Sequence, residues 1–302
     1  MQNIDISVVT PVFNEENNID PFLKNIQETL MKLTESYEII FVMDPSTDKT
    51  EDIIKNRALQ DTKIKLIKLS RRFGQPASTL AGIHNSSGER VVVIDVDLQD
   101  PPEVILDMNK KMDQGYDVVF AKRSSREGET FIKKKISDFG YWLINSLTEI
   151  KIPKDVGDFR MMSRKVVGHL KKLKEKHGFL RGLVSYVGFK QCEVIFDRLP
   201  RKNDKSKYNK FTGSLKIGLN GLICFSEKPL QIFNLVGLFI LTIGFFLLLT
   251  ISFHSIKFFE IIILSLFGLV FLSMGITGEY ISRIYEEVKD RPQFIIDEKI
   301  NF

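Results

Sequence analysis

Short runs of apolar, largely β-branched residues recur along the first part of the chain, at 5–12, 37–44, 64–70, 90–97 and 117–123. Segments with helical character follow them, at 16–35, 48–60, 75–86, 102–114 and 131–147. Asp100-Pro101-Pro102 is a good helix start, with proline in the first turn. Strands alternating with helices predict an α/β domain with a mainly parallel sheet, whose ligands bind beyond the carboxyl ends of the strands.

The pattern changes in the last quarter. Residues 232–253 carry no charge, and a helix of that length, at ~1.5 Å per residue, matches a ~30 Å hydrocarbon core. Residues 261–281 form a second apolar run with Glu279 close to its end. A short connection joins them, so the sequence predicts a two-helix transmembrane hairpin; a buried helical pair in a soluble core is the alternative. Lys205, Lys207, Lys210, Lys216 and Lys228 precede the hairpin, Arg283, Lys289 and Arg291 follow it, and its loop has only Lys257. By the positive-inside rule the body and both termini face the cytoplasm, at the cell (inner) membrane. The N-terminus has no basic n-region or cleavage site, so no secretory signal is expected.

The expected organisation is a cytoplasmic catalytic body at 1–210, an interfacial segment at 211–229, the membrane part at 230–282 and a cytoplasmic tail at 283–302. The mean hydropathy of −0.04 averages unlike regions. Of 43 Lys/Arg and 38 Asp/Glu, only 5 and 7 lie from Leu230 onward, so the body is basic. Residues 160–210 alone hold 15 Lys/Arg against 4 Asp/Glu. Basic residues beside a bilayer attract acidic lipid and can grip phosphate; a generic positive-inside flank accounts for the same charges. Two cysteines, Cys192 and Cys224, exclude a disulfide scaffold and a multi-cysteine zinc module. The four histidines are scattered and read as structural or surface residues.

The strand ends carry the candidate chemistry. No glycine-rich phosphate cradle of either usual pattern is present. Asp95-Val96-Asp97 closes the fourth run, and Gln99 continues its alternation. If strand geometry persists that far, the three side chains share one side. Two carboxylates and an amide oxygen suit a hard divalent cation, Mg2+ or Mn2+, with positions left open for substrate phosphate; solvated loop acids are the bland reading. Asp48 reads equally as a cap for the next helix.

The segments TPVFNEENNI, FVMDPSTDKT, RRFGQPASTLAG and VVVIDVDLQDPPE resemble the family 2 glycosyltransferases. VVFAKRSSREGE, VGDFRMMSR, RGLVSYVGF, SKYNKF and GEYISRIYEEVKDRPQF narrow the resemblance to polyprenyl-phosphate (undecaprenyl or dolichyl phosphate) glycosyltransferases. That resemblance implies a glycosyltransferase A-type fold, a nucleotide-sugar donor (UDP-sugar favoured), a divalent metal and a lipid-phosphate acceptor, with no nucleic-acid partner. Matched by motif, Pro11, Asn14 and Glu15 would line the nucleoside pocket and Asp44 would contact base or ribose. Asp95, Asp97 and Gln99 would hold the metal and donor diphosphate, and Asp158 would be catalytic together with Asp97. Arg123, Arg126, Arg198 and Ser206 fall where the family meets the acceptor phosphate. Met43 stands where the family often has a second acid, and Pro45 where glycine is usual. The implied reaction is inverting transfer of a sugar, glucose favoured, to polyprenyl phosphate; mannose, N-acetylhexosamine and aminoarabinose donors are the alternatives. A homo-oligomer is compatible with the resemblance. A processive polysaccharide synthase is disfavoured because the single tryptophan, Trp142, is not in a Q-x-x-R-W motif. A non-enzymatic nucleotide-sugar-binding membrane protein is disfavoured by the intact D-x-D-x-Q and GDFR.

Overall fold

The computed structural model describes residues 4–124, 156–173, 180–199 and 256–302, with isolated residues at 146, 175, 230, 236–237, 239–240 and 242. The chain divides into two compact units. The first comprises Met1–Ser137, Ile152–Asn209 and Pro292–Phe302, and the second Asp138–Lys151 and Lys210–Arg291.

In the first unit, β1 (Ile6–Val12), β2 (Tyr37–Met43), β3 (Ile64–Leu69) and β4 (Arg90–Val93) alternate with α1 (Ile19–Leu30), α2 (Thr50–Gln60) and α3 (Gln75–Asn85). Next come α4 (Val104–Asp113), β5 (Val118–Arg123), β6 (Val156–Ser163), α5 (Arg164–Leu170), α6 (Leu180–Val187) and β7 (Gln191–Phe196). Among the described residues one eight-stranded sheet forms, in the order β7-β5-β6-β4-β1-β2-β3-β8, where β8 is Ile296–Ile300. The β1–β2, β1–β4, β2–β3 and β5–β7 pairs are parallel, and β6 and β8 run antiparallel to their neighbours. This is the expected α/β fold with a mainly parallel sheet.

The central strands are buried on both faces, every residue of β2 included, because helices cover the sheet. On α1, Ile19, Phe22, Leu23, Ile26 and Leu30 recur at helical spacing and are all buried, which fixes the face it turns to the sheet. Helix α3 lies closer still. A Cβ on Gly82 would sit 2.3 Å from Val9 Cγ1 and 2.9 Å from Val42 Cγ2, so only glycine lets the helix approach β1 and β2. The opposite end of the sheet is locked by a buried carboxylate. Glu38, 1% exposed, accepts hydrogen bonds from Ser7 Oγ at 2.5 Å and Ser87 N at 2.7 Å, and its other oxygen pairs with Lys65 Nζ at 2.7 Å.

Four strands depart from the sequence expectation: β4 is shorter, and β6, β7 and β8 are additional. The fourth strand ends at Val93, and 94–100 leave the sheet in a turn containing Leu98 at φ 57. The strand alternation expected to run through Asp97 therefore stops short. β6 is an additional antiparallel strand inserted between β4 and β5. The C-terminal tail expected at 283–302 is instead the end of a helix followed by a sheet strand. β8 pairs with β3, placing Leu66 opposite Ile300 and Lys68 opposite Glu298. Lys55 Nζ donates to Glu298 Oε2 at 2.7 Å, and Asn301 Nδ2 donates to the carbonyls of Ala58 and Ile64 at 2.7 and 2.8 Å. Gln293 Nε2 bonds the Glu175 carbonyl, and Phe294 meets His84 edge-on.

In the second unit, α7 (Ile256–Val288) is one helix of 33 residues that contains the apolar run 261–281 and continues beyond it. Ile263, Phe267, Phe271, Leu272 and Met274 are all more than half exposed. Among the described residues no helix is long and apolar enough to cross a membrane, so the expected two-helix hairpin is not shown. The uncharged stretch 261–278 is ended by Glu279, and Arg283, Glu286 and Glu287 follow in the same helix. The run 232–253 lies outside the described residues apart from isolated positions, as do the interfacial segment 211–229 and, but for residue 146, the expected helix 131–147.

Candidate active site

The parallel strands deliver their carboxyl ends to one edge of the sheet, and two loop clusters meet the solvent there. The first joins the ends of β1 and β2. Pro11 lies within β1, opposite Val42. Asn14 adopts φ 54, a left-handed conformation that asparagine tolerates, and ties the two loops together. Its N–H donates to Ser46 Oγ at 3.2 Å, and its Oδ1 accepts from Thr47 N at 2.8 Å. Glu15 N donates to Thr50 Oγ1 at 2.9 Å, and its carboxylate accepts from Asn18 Nδ2 at 2.6 Å. Asp48 Oδ1 accepts from Thr50 N at 3.1 Å, the helix-capping role that its sequence context allowed. Asp44 is buried; it accepts from Gly74 N at 2.9 Å and Phe73 N at 3.1 Å, so its carboxylate secures the loop that starts α3.

The second cluster surrounds the turn after β4. Asp95 lies two residues past the end of β4, and Gln75 Nε2, in the first turn of α3, donates to its Oδ1 at 2.9 Å. The close seat of α3 at Gly82 thus fixes the group that orients Asp95. Asp97 accepts from Gln99 N at 3.1 Å, an Asx-type turn that reverses the chain through Leu98. Asp100 is 3% exposed, beneath Arg198, whose Nε lies 3.4 Å from its Oδ1.

The inserted strand brings the fourth acid. β6 runs antiparallel to β4 with Arg160 opposite Val93, the last pair of that ladder, and Asp158 comes near enough to Asp95 for its charge to act on it. Arg181 Nε, at the start of α6, donates to Asp158 Oδ1 at 3.0 Å. Arg160, 3% exposed, donates to the carbonyls of Asp158 and Gly157 at 3.2 and 3.0 Å, and its Nη2 lies 3.8 Å from the Asp158 carboxylate. Arg123 ends β5, and its Nη2 would lie 3.3 Å from a Cβ on residue 157, so the glycine there leaves it room.

Charge distribution follows from this crowding. Burial, then the charges of Asp158, Asp100 and Asp97, push the Asp95 carboxyl up to about 7, against which Arg198 pulls weakly. Asp158 moves the other way. Burial opposes its charge, but Arg181, Arg160 and Arg123 together hold it below the usual carboxylate range. One acid is thus poised to welcome positive charge, and a second is held ionised by its arginines.

Among the described residues no three His, Cys, Asp or Glu side chains converge to enclose a metal by themselves. Magnesium-type sites commonly use one or two carboxylates and complete their shell with water and substrate phosphate. Asp95 and Asp97, hard oxygen donors in a turn where acidic charges act on one another, fit a divalent cation on those terms. Sequence reasoning passed over Gln75, Asp100, Arg160 and Arg181. The arginines stood in quoted motifs but gained a role only through the register of β6 and the start of α6. Arg126 and Ser206 lie outside the described residues.

The sequence pattern of glycosyl transferase family 2 matches residues 7–171, more than half of the chain. The chain belongs to glycosyl transferase family 2. It is 42% identical to the uncharacterized glycosyltransferase YkcC of Bacillus subtilis, over 98% of this chain and 94% of that protein. It is 38% identical to the SfII prophage-derived bactoprenol glucosyl transferase of Shigella flexneri, over 96% of this chain and 97% of that protein. Among solved structures, mannosyl-3-phosphoglycerate synthase from Rubrobacter xylanophilus shares the fold, at 12% identity and a TM-score of 0.50, over 72% of each chain. This member of family 2 is accordingly a glycosyltransferase.

Proposed function

We propose that this glycosyltransferase moves a sugar, glucose in the first instance, from a nucleotide-sugar donor, a UDP-sugar in the first instance, to polyprenyl phosphate, with inversion at the anomeric carbon. One observation carries the reading. An acid pushed up to about 7 by burial and then by its acidic neighbours stands at the same strand ends as arginines able to grip phosphate. The near-full-length relationship to a bactoprenol glucosyl transferase supports the acceptor and the sugar.

Asp95 and Asp97 would hold a divalent cation, Mg2+ or Mn2+, which, when bound, offsets charge on a nucleoside diphosphate leaving group. Gln75 keeps Asp95 oriented, and Asn14 holds the two nucleoside-side loops together. Arg198 and Arg123, with Arg126 and Ser206, receive the acceptor phosphate. A phosphate monoester, with its second pKa near ~6, is already largely dianionic at neutral pH, so its oxygen attacks without a strong protein base. Asp158, held ionised by Arg181 and Arg160, orients sugar or acceptor hydroxyls.

The apolar runs 232–253 and 261–281 would anchor the enzyme as a hairpin, with the catalytic unit on the cytoplasmic face. The exposed apolar side chains of α7 support a lipid environment. The test is transfer of radiolabel from a panel of nucleotide sugars to undecaprenyl phosphate by the purified full chain. Labelled lipid formed from UDP-glucose meets the expectation. Labelled lipid from another donor alone corrects the sugar, and no labelled lipid from any donor refutes the acceptor. Recovery of the native enzyme in the soluble fraction refutes the anchor.

A further inference from the structure

Asp100 has no part in the reading above, yet it occupies an unusual position. It is 3% exposed, and its Oδ1 is buried without accepting a hydrogen bond. What faces that oxygen is the Nε of Arg198, at 3.4 Å, on a side chain 28% exposed. Burial pushes the Asp100 carboxyl up, and Arg198 first and Arg123 second draw it back, so both cations act on it. The backbone fixes the same arrangement. Leu199 N donates to the Gln99 carbonyl at 3.0 Å, strapping the segment after β7 across the turn after β4. Ser124 N donates to the Phe196 carbonyl at 2.9 Å, and Ser124 Oγ bonds Asp197, joining the ends of β5 and β7 where Arg123 and Arg198 arise. Guanidinium groups that act on one carboxylate also repel each other, and the Asp100 carboxylate reduces that repulsion while the Arg198 side chain keeps part of its surface open to solvent.

We infer that Asp100 is a positioning residue for the acceptor, holding Arg198 and Arg123 in place to receive a phosphate monoester. The inference rests on the polyprenyl-phosphate reading and adds a residue that acts on the acceptor through those arginines. It separates two jobs in one turn: Asp95 and Asp97 serve the donor side, and Asp100, at the turn's far end, serves the acceptor side.

The experiment is steady-state transfer by the full chain in detergent, with undecaprenyl phosphate and the active nucleotide sugar titrated separately. Asp100→Asn is expected to raise the KM for the lipid about tenfold and leave the KM for the donor within about twofold. Arg198→Ala is expected to do the same, and the double variant to fall well short of the product of the two single effects, because Asp100 works in part through Arg198. Asp100→Ser makes the same measurement if the asparagine variant does not fold. An unchanged lipid KM, a donor KM raised in parallel, or multiplying effects in the double variant overturns the inference while leaving the transferase reading intact. A wild-type enzyme that glycosylates no polyprenyl phosphate overturns both.

Discussion

Asp95→Asn should make the metal-free enzyme more stable while abolishing transfer. A folded value of about 7 against an ordinary 3.8 means that ionised Asp95 is held against its preference. Because the folded state binds this proton more tightly than the unfolded chain, the cost is absent below the ordinary value. It grows as pH rises between the two values and is complete above the folded one. At ~1.4 kcal/mol per tenfold change in proton affinity, its ceiling is about 4 kcal/mol. Asp95 is partly open to solvent, which screens the neighbouring charges, and we expect about 1–2 kcal/mol in practice. Asparagine keeps an oxygen for the Gln75 amide, so the hydrogen bond survives and only the charge is lost. For a unit of this size the gain corresponds to a rise in Tm of roughly 2–8 °C. The assay is thermal unfolding of wild type and variant in detergent with excess chelator, at pH 8 and pH 4 and one scan rate. The stabilisation should be full at pH 8 and fall to under half by pH 4. A variant less stable than wild type at pH 8, or a gain equal at both pH values, would refute the argument that the acids crowd Asp95.

Asp97→Asn is expected to abolish transfer without lowering Tm, and excess chelator to stop wild-type turnover; turnover persisting in chelator would remove the metal. Gly82→Ala should cost about 2 kcal/mol in denaturant unfolding, since the added carbon would meet Val9 at 2.3 Å and overpacking outweighs the gain in helix propensity. Glu38→Gln should cost about 3–5 kcal/mol at pH 7, because Lys65 loses its buried partner. Burial works to raise the Glu38 carboxyl, but Lys65, Ser7 and Ser87 outweigh it and hold it below its ordinary 4.5. The Glu38 contribution is therefore present above that value and lost as pH falls through the folded value, so wild type and variant should converge in acid. Deleting residues 295–302 should cost roughly 3 kcal/mol or more and raise aggregation, measured by unfolding and light scattering, because the β3 edge is uncovered.

The first five strands and four helices were legible because buried apolar runs alternate with amphipathic segments, a pattern that survives without tertiary knowledge. The acids of the D-x-D-x-Q motif were legible as chemistry but not as geometry. Strand pairing with β1 ends at Val93, and Leu98 turns the chain by a positive φ that its side chain gives no hint of. β6 was missed because Asp158 and Arg160 interrupt its apolar character, although they are the reason it matters. β7 and β8 are edge strands, half-exposed and mixed with charge, so QCEVIF and IDEKI resemble loop or tail. Arg181 and Asp100 show their relevance only once strands distant in sequence are set side by side.

The seat of β8 against β3 has a consequence for biosynthesis. β8 emerges from the ribosome after every other described element, so the sheet stays open along its β3 border while the rest of these elements are made. Asn301 grips Ala58 and Ile64, and the Phe302 ring lies under Lys65, so the residues after β8 complete that seal.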